Sequence, residues 1–149
     1  MKVLLAQPPI EDFYDTTIRT YPLSLLYLAT KIKDICDVSI VDFRSNKKRM
    51  LKQHPFPELK PFYRANVYTP FSLFHSYSRF GMDHDEISRI IEAHKPDIVG
   101  ISSLFTTYAE EALDVARIVK ETDERIVTIM GGAHPTLFPG HCLHSPHVD

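Results

Sequence analysis

Pro96-Asp97-Ile98-Val99-Gly100-Ile101-Ser102-Ser103-Leu104-Phe105-Thr106 is the stretch on which the fold turns. Ile98 to Ile101 runs without a polar side chain, and hydroxyl residues follow it. A strand with one wet face alternates polar and apolar, whereas a strand covered on both faces stays apolar, as in a parallel sheet. Three other runs read as strands: Val3-Leu4-Leu5-Ala6, Val38-Ser39-Ile40-Val41-Asp42-Phe43 and Ile126-Val127-Thr128-Ile129-Met130. Helical stripes lie between them. Pro22 to Lys33 packs Leu25, Leu26, Leu28, Ala29 and Ile32; Asp85 to His94 aligns Ile87, Ile90 and Ile91; Tyr108 to Lys120 aligns Ala112, Val115, Ala116 and Val119. Thr107 and Glu110 stand at the S/T-x-x-E spacing of a capping box and predict the start of that last helix.

The order is strand, helix, strand, long insertion, helix, strand, helix, strand. It predicts an α/β fold: a Rossmann-like, flavodoxin-like, doubly wound parallel sheet of order 2-1-3-4, with right-handed crossovers. Val148-Asp149 reads as the first step of a fifth strand beside the fourth. Residues 45–82 form a long irregular insertion after strand 2, expected as a mobile or irregular flap near the sheet rim.

The chain has 149 residues, 44% hydrophobic and 24% charged with a formal net charge of -2, which suits a single domain and excludes a disordered chain. Two cysteines, Cys36 and Cys142, do not make a disulfide scaffold, and a reducing cytoplasmic setting is the expectation. No apolar run reaches the ~20 residues of a membrane span. Charge is uneven along the chain. Residues 44–64 hold seven basic side chains and one acid, and residues 83–124 hold eleven acids and four bases. The basic stretch with Phe56, Phe62 and Tyr63 could grip a nucleic-acid strand. Without helix or strand periodicity it reads instead as a solvated, proline-broken loop, and no nucleic-acid partner is expected.

Ligands of open parallel sheets bind beyond the carboxyl ends of the strands, where strand order reverses. The loops there are Gln7-Pro8-Pro9-Ile10, Ser102 to Thr106 and Gly131-Gly132-Ala133-His134-Pro135-Thr136. A dinucleotide would need G-x-G-x-x-G after strand 1, which Gln7-Pro8-Pro9 does not provide. Asp42 could otherwise hold a ribose, but reads as a solvent-exposed strand end. A P-loop is absent, and Ser102 stands where a phospho-receiver would carry aspartate.

Ser102-x-Leu104 followed after 26 residues by Gly131-Gly132 resembles the S-x-L and G-G portions of the cobalamin-binding fold. The D-x-H-x-x-G histidine that ligates cobalt in part of that family is missing. Further matches are Gln7-Pro8-Pro9, Tyr21-Pro22-Leu23-Ser24-Leu25-Leu26-Tyr27-Leu28-Ala29, Phe80-Gly81-Met82, Pro96 to Ser102 and Gly131-Gly132-Ala133-His134-Pro135. Together they resemble the N-terminal domain of cobalamin-dependent radical S-adenosylmethionine enzymes, over most of the chain except residues 45–79. The resemblance implies a cobalamin module, residues 1–149, at the head of a longer chain. A following barrel would hold a 4Fe-4S cluster through C-x-x-x-C-x-x-C and bind S-adenosylmethionine. No such cysteine triplet occurs here, so no catalytic residue is expected within these residues.

The resemblance also implies cofactor contacts. Pro8, Pro9 and Tyr21 would border the corrin, and Ser102, Ser103, Leu104, Phe105, Thr106, Gly131, Gly132 and His134 would line the site of the nucleotide tail. His134, His141, Cys142, His144 and His147 crowd the end of the chain without either of the usual paired zinc spacings, so no metal ligand is assigned. The alternative function is a non-catalytic flavodoxin-like regulatory or scaffold domain.

Overall fold

The computed structural model describes residues 1–13, 21–44, 47–51, 55–62 and 76–149. Its main sheet has four parallel strands: β1 (Lys2–Gln7), β3 (Asp37–Asp42), β6 (Ile98–Ser102) and β7 (Val127–Gly131), in spatial order β3-β1-β6-β7. This is the 2-1-3-4 order expected from the apolar runs. Register pairs Gln7 with Asp42, Ala6 with Ile101, and Ser102 with Gly131, so all four carboxyl ends meet on one rim. Strand order reverses between β1 and β6, which fixes the ligand crevice there.

The unbroken apolar character of β1 follows from its two covers. Val3 and Leu5 face α1 (Leu23–Ile32), where they pack with Leu25. Leu4 and Ala6 face the opposite layer, α2 (His84–His94) and α3 (Ala109–Thr122), where they join Ile87, Ile91, Val115 and Val119 in the main core. Two short helices, α4 (Ala133–Leu137) and α5 (Pro139–Leu143), follow β7.

Two details of the insertion correct the sequence reading. A three-stranded antiparallel sheet, order β2-β5-β4, joins β2 (Ile10–Asp12), β4 (Lys48–Met50) and β5 (Ser78–Phe80), so the ends of the insertion are regular. Its strands have three residues each, too short to display a period, and Pro8-Pro9 interrupts the chain between β1 and β2. Ser78 and Phe80 turn inward while Arg79 pairs with Glu11 at 3.0 Å. The basic stretch is also not simply solvated. Lys47 pairs with Glu86, and Arg49 meets Asp83 at 3.0 Å, so the basic flank of β4 neutralises the acidic start of α2. Residues 45–46, 52–54 and 63–75 of the expected flap lie outside the described residues.

The capping box also sits elsewhere. Thr107 lies inside a 3-10 turn, Thr106–Tyr108, that runs directly into α3, so it does not occupy a cap position, and Tyr108 caps α3 without a side-chain bond. Asp83 and Glu86 form the reciprocal box instead, at the start of α2. At the far end, Asp149 N–H donates to the Thr128 carbonyl at 3.1 Å, and its carboxylate accepts from Thr128 N–H at 2.7 Å and from Lys120 at 2.6 Å. This places the last residue beside the outer edge of β7, but no fifth strand forms among the described residues.

Candidate functional site

The rim at the switch point holds a cavity of about 550 Å³, walled by the loops after β1 and β6 and by the start of α1. Pro8, Pro9, Tyr21, Ser102, Ser103, Leu104 and Phe105, all expected at the site, line it together. Tyr21, Leu104 and Phe105 remain 85%, 53% and 59% exposed, so the mouth presents apolar surface to whatever lies over it. A narrower slot of about 220 Å³ adjoins the cavity and shares Ser24, Ser102 and Leu104 with it. The slot runs between α1 and the sheet. Leu25 and Leu28 form one wall, Leu5, Gly100 and Ile129 the other, and Gly131 and Gly132 close its end.

The two glycines do different work. Gly132 has φ +125°, and a Cβ there would stand 2.5 Å from the Ser103 carbonyl oxygen. Its lack of a side chain serves the backbone: it lets the turn after β7 close on the loop after β6. Gly131 has no such neighbour, since a Cβ would meet nothing within 4 Å. It follows Ile129 on the same face of β7, so a side chain there would grow into the slot. Ser103 N–H donates to the Gly131 carbonyl at 2.7 Å, and His134 N–H donates to the Ser103 carbonyl at 3.2 Å, locking the two loops together. The Ser103 hydroxyl is buried at the cavity without a hydrogen-bond partner.

Thr106 and His134 lie off this cavity. His134 is only 3% exposed and turns to the other side of the loop after β6, where its Nδ1 shares a hydrogen bond with Thr106 Oγ1 at 3.2 Å. There both line a hollow of about 320 Å³ with Glu110, Phe138 and His141.

Several lining residues escaped the sequence reading. Arg44 reaches the cavity wall, its guanidinium held by Asp42 through Nε at 3.0 Å and Nη2 at 2.8 Å. Asp42 is thereby engaged by a cation, which disfavours a ribose role for it. Ser24, Leu25 and Leu28 bring α1 into the slot; their helical spacing was visible, but not which part of the face would be left uncovered. Tyr108 donates its hydroxyl to Asp12 at the cavity edge. Behind it, Glu111 is buried and accepts the Glu11 N–H at 2.9 Å. Desolvation lifts its carboxyl from an ordinary 4.5 to about 7. Burial, with Glu111 and Glu11 nearby, pushes the Tyr77 hydroxyl up to about 12.

The arrangement suits a ligand with an apolar, elongated arm and a broad face. Apolar walls and the clearance at Gly131 fit the arm, and the unpartnered Ser103 hydroxyl offers a polar group a hydrogen bond. Among the described residues that line the rim cavity there is no histidine, cysteine or carboxylate. These features suit a bulky cofactor with a long, largely apolar extension.

Comparison with known proteins agrees. Residues 76–149 match the B12 binding domain. The cytidylyl-2-hydroxyethylphosphonate methyltransferase of Streptomyces wedmorensis is 31% identical over 99% of the chain and 25% of its own length. An uncharacterized methyltransferase of Pyrococcus horikoshii is 28% identical over 93% of the chain and 23% of its own length. The chain thus spans about a quarter of the curated relatives it matches. No helix among the described residues is long and apolar enough to cross a membrane. A parallel sheet with its crevice at the switch point, a glycine-ended slot beside it and these matches lead to one assignment: the chain carries a B12 binding domain, matched over residues 76–149.

Proposed function

We propose that this chain is the cobalamin-holding module of a methyltransferase whose reaction is completed by a radical S-adenosylmethionine region with a 4Fe-4S cluster. The observation that carries the reading is that the rim cavity and the glycine-ended apolar slot adjoin, with Ser24, Ser102 and Leu104 lining both. The methyltransferase part rests on the two relatives, and the radical part on the resemblance of the sequence ensemble.

When bound, cobalamin supplies a cobalt centre able to carry a methyl group. The chain's own residues hold and shield. Leu5, Leu25, Leu28 and Ile129 exclude water from the nucleotide tail, and Gly131 leaves it room. Ser102 and Ser103 sit where the tail would leave the slot, able to donate or accept one hydrogen bond each. Pro8, Pro9, Tyr21 and Phe105 border the broad face at the mouth. Held by the slot residues, the tail would be kept apart from the corrin face, and the described residues that line the rim cavity include no histidine.

Titration with hydroxocobalamin tests the reading. The parent should bind one equivalent with the absorption of a tail-displaced corrinoid. Ser102→Ala should weaken binding modestly, since one hydrogen bond is worth about 0.5–1.5 kcal/mol net. Saturable binding with the tail still on cobalt would contradict the slot assignment.

A further inference from the structure

The histidine-rich end of the chain lacks the spacing of known zinc motifs, yet the fold converges it. α4 and α5 turn back across the loop after β6, so His141 and Cys142, seven and eight residues on, return to His134. The ligand-capable atoms of His134, His141 and Cys142 all lie within 4.8 Å of one another. His134 Nε2 faces His141 Nδ1 at 3.0 Å, with the rings crossed at 87°. Two nitrogens bound at about 2.0–2.1 Å to a tetrahedral ion stand about 3.3 Å apart, so the pair is nearly at bonding separation already.

The outer nitrogens are held as well. His134 Nδ1 is engaged by Thr106 Oγ1 at 3.2 Å, and His141 Nε2 lies 3.5 Å from the Glu110 carboxylate. Such outer partners fix ring orientation and leave the inner lone pairs for a metal. Two imidazoles and a thiol suit zinc or a similar borderline-soft divalent ion, and suit magnesium or calcium poorly. His134 and Cys142 are buried at 3% and 2% exposure, whereas His141 is exposed and opens on the hollow beside Glu110.

We infer that His134, His141 and Cys142 form a three-ligand site for a zinc-class divalent ion, its fourth position open to the hollow beside Glu110. Cys142 binds through sulfur as the thiolate, its proton passing to solvent, with no change of oxidation state. The ion would tie α4 and α5 to the loop that lines the rim cavity, because His134 is bonded to both Ser103 and Thr106. This site is separate from the corrinoid pocket and does not depend on it.

Metal-stripped chain, with no corrinoid present, is titrated with Co(II) and then with competing Zn(II). One equivalent should produce tetrahedral d–d bands and a thiolate-to-cobalt charge-transfer band, both displaced by zinc. Cys142→Ser should abolish the charge-transfer band while Cys36→Ser keeps it. His141→Gln, at an exposed position, should weaken binding at least tenfold with the far-ultraviolet circular dichroism unchanged. No charge-transfer band in the parent, or one that survives Cys142→Ser, overturns the site, as does a His141→Gln affinity equal to the parent's.

Discussion

Replacing Glu111 with glutamine should stabilise the chain at alkaline pH and do little in acid. The buried carboxylate has Glu11 as a like-charged neighbour and Arg79 as a partial counterweight, and desolvation dominates. Its folded pKa of about 7 lies above the ordinary 4.5, so the folded state holds a proton that the unfolded chain has lost between those values. Stability linked to this group is therefore complete below about pH 4.5 and falls as pH rises through about 7. A shift of this size corresponds to at most about 3 kcal/mol, and partial access of water reduces it to about 2 kcal/mol. Glutamine keeps an oxygen acceptor for the Glu11 N–H and removes the charge. Urea unfolding of parent and Glu111→Gln at pH 5 and pH 8.5 checks this. The variant should gain about 2 kcal/mol at the higher pH, or roughly 4–8 °C in Tm, and nearly match the parent at the lower. An equal change at both pH values, or a loss at pH 8.5, would refute desolvation as the cause.

Other outcomes follow from single contacts. Gly132→Ala should lower stability by more than 1 kcal/mol, roughly, because it meets both a positive φ and the Ser103 carbonyl, while Gly131→Ala should be nearly neutral; denaturant midpoints separate the two. Asp83→Ala removes the cap of α2 and the Arg49 partner together, and thermal melts should show a midpoint a few degrees lower, less so for Asp83→Asn. Ser103→Ala deletes a buried hydroxyl without a partner, so the free chain should be as stable or more stable, whereas cobalamin affinity should fall.

Much of the fold was legible because its central strands are short, apolar and covered on both faces, and alternate with helical stripes, a pattern that suits a parallel sheet between helices. Ser102 and Gly131 pair in register across β6 and β7, so their shared rim followed once the strands were placed. The small sheet was not legible, since Ile10–Asp12, Lys48–Met50 and Ser78–Phe80 join from three distant segments and none has the length to alternate visibly. Thr107 carried a capping signature that the 3-10 turn overrode, while Asp83-x-x-Glu86 carried an equally good one that went unread. The divided roles of Gly131 and Gly132 depend on a φ angle and a 2.5 Å approach, neither of which a glycine pair declares. The turn of His134 away from the rim has the same origin: the close contact at Gly132 brings His134, two residues on, against the Ser103–Thr106 loop.

The central claim, that the slot between α1 and β7 receives a nucleotide tail, is tested most directly by pairing two ligands with one substitution. Cobinamide carries the corrin without the tail. Gly131→Leu grows a side chain into the slot without touching the mouth or straining the backbone. The substitution should weaken hydroxocobalamin binding by about tenfold or more, ~1.4 kcal/mol, and leave cobinamide binding unchanged. Equal affinity of parent and variant for hydroxocobalamin, or an equal loss for both ligands, would contradict the account.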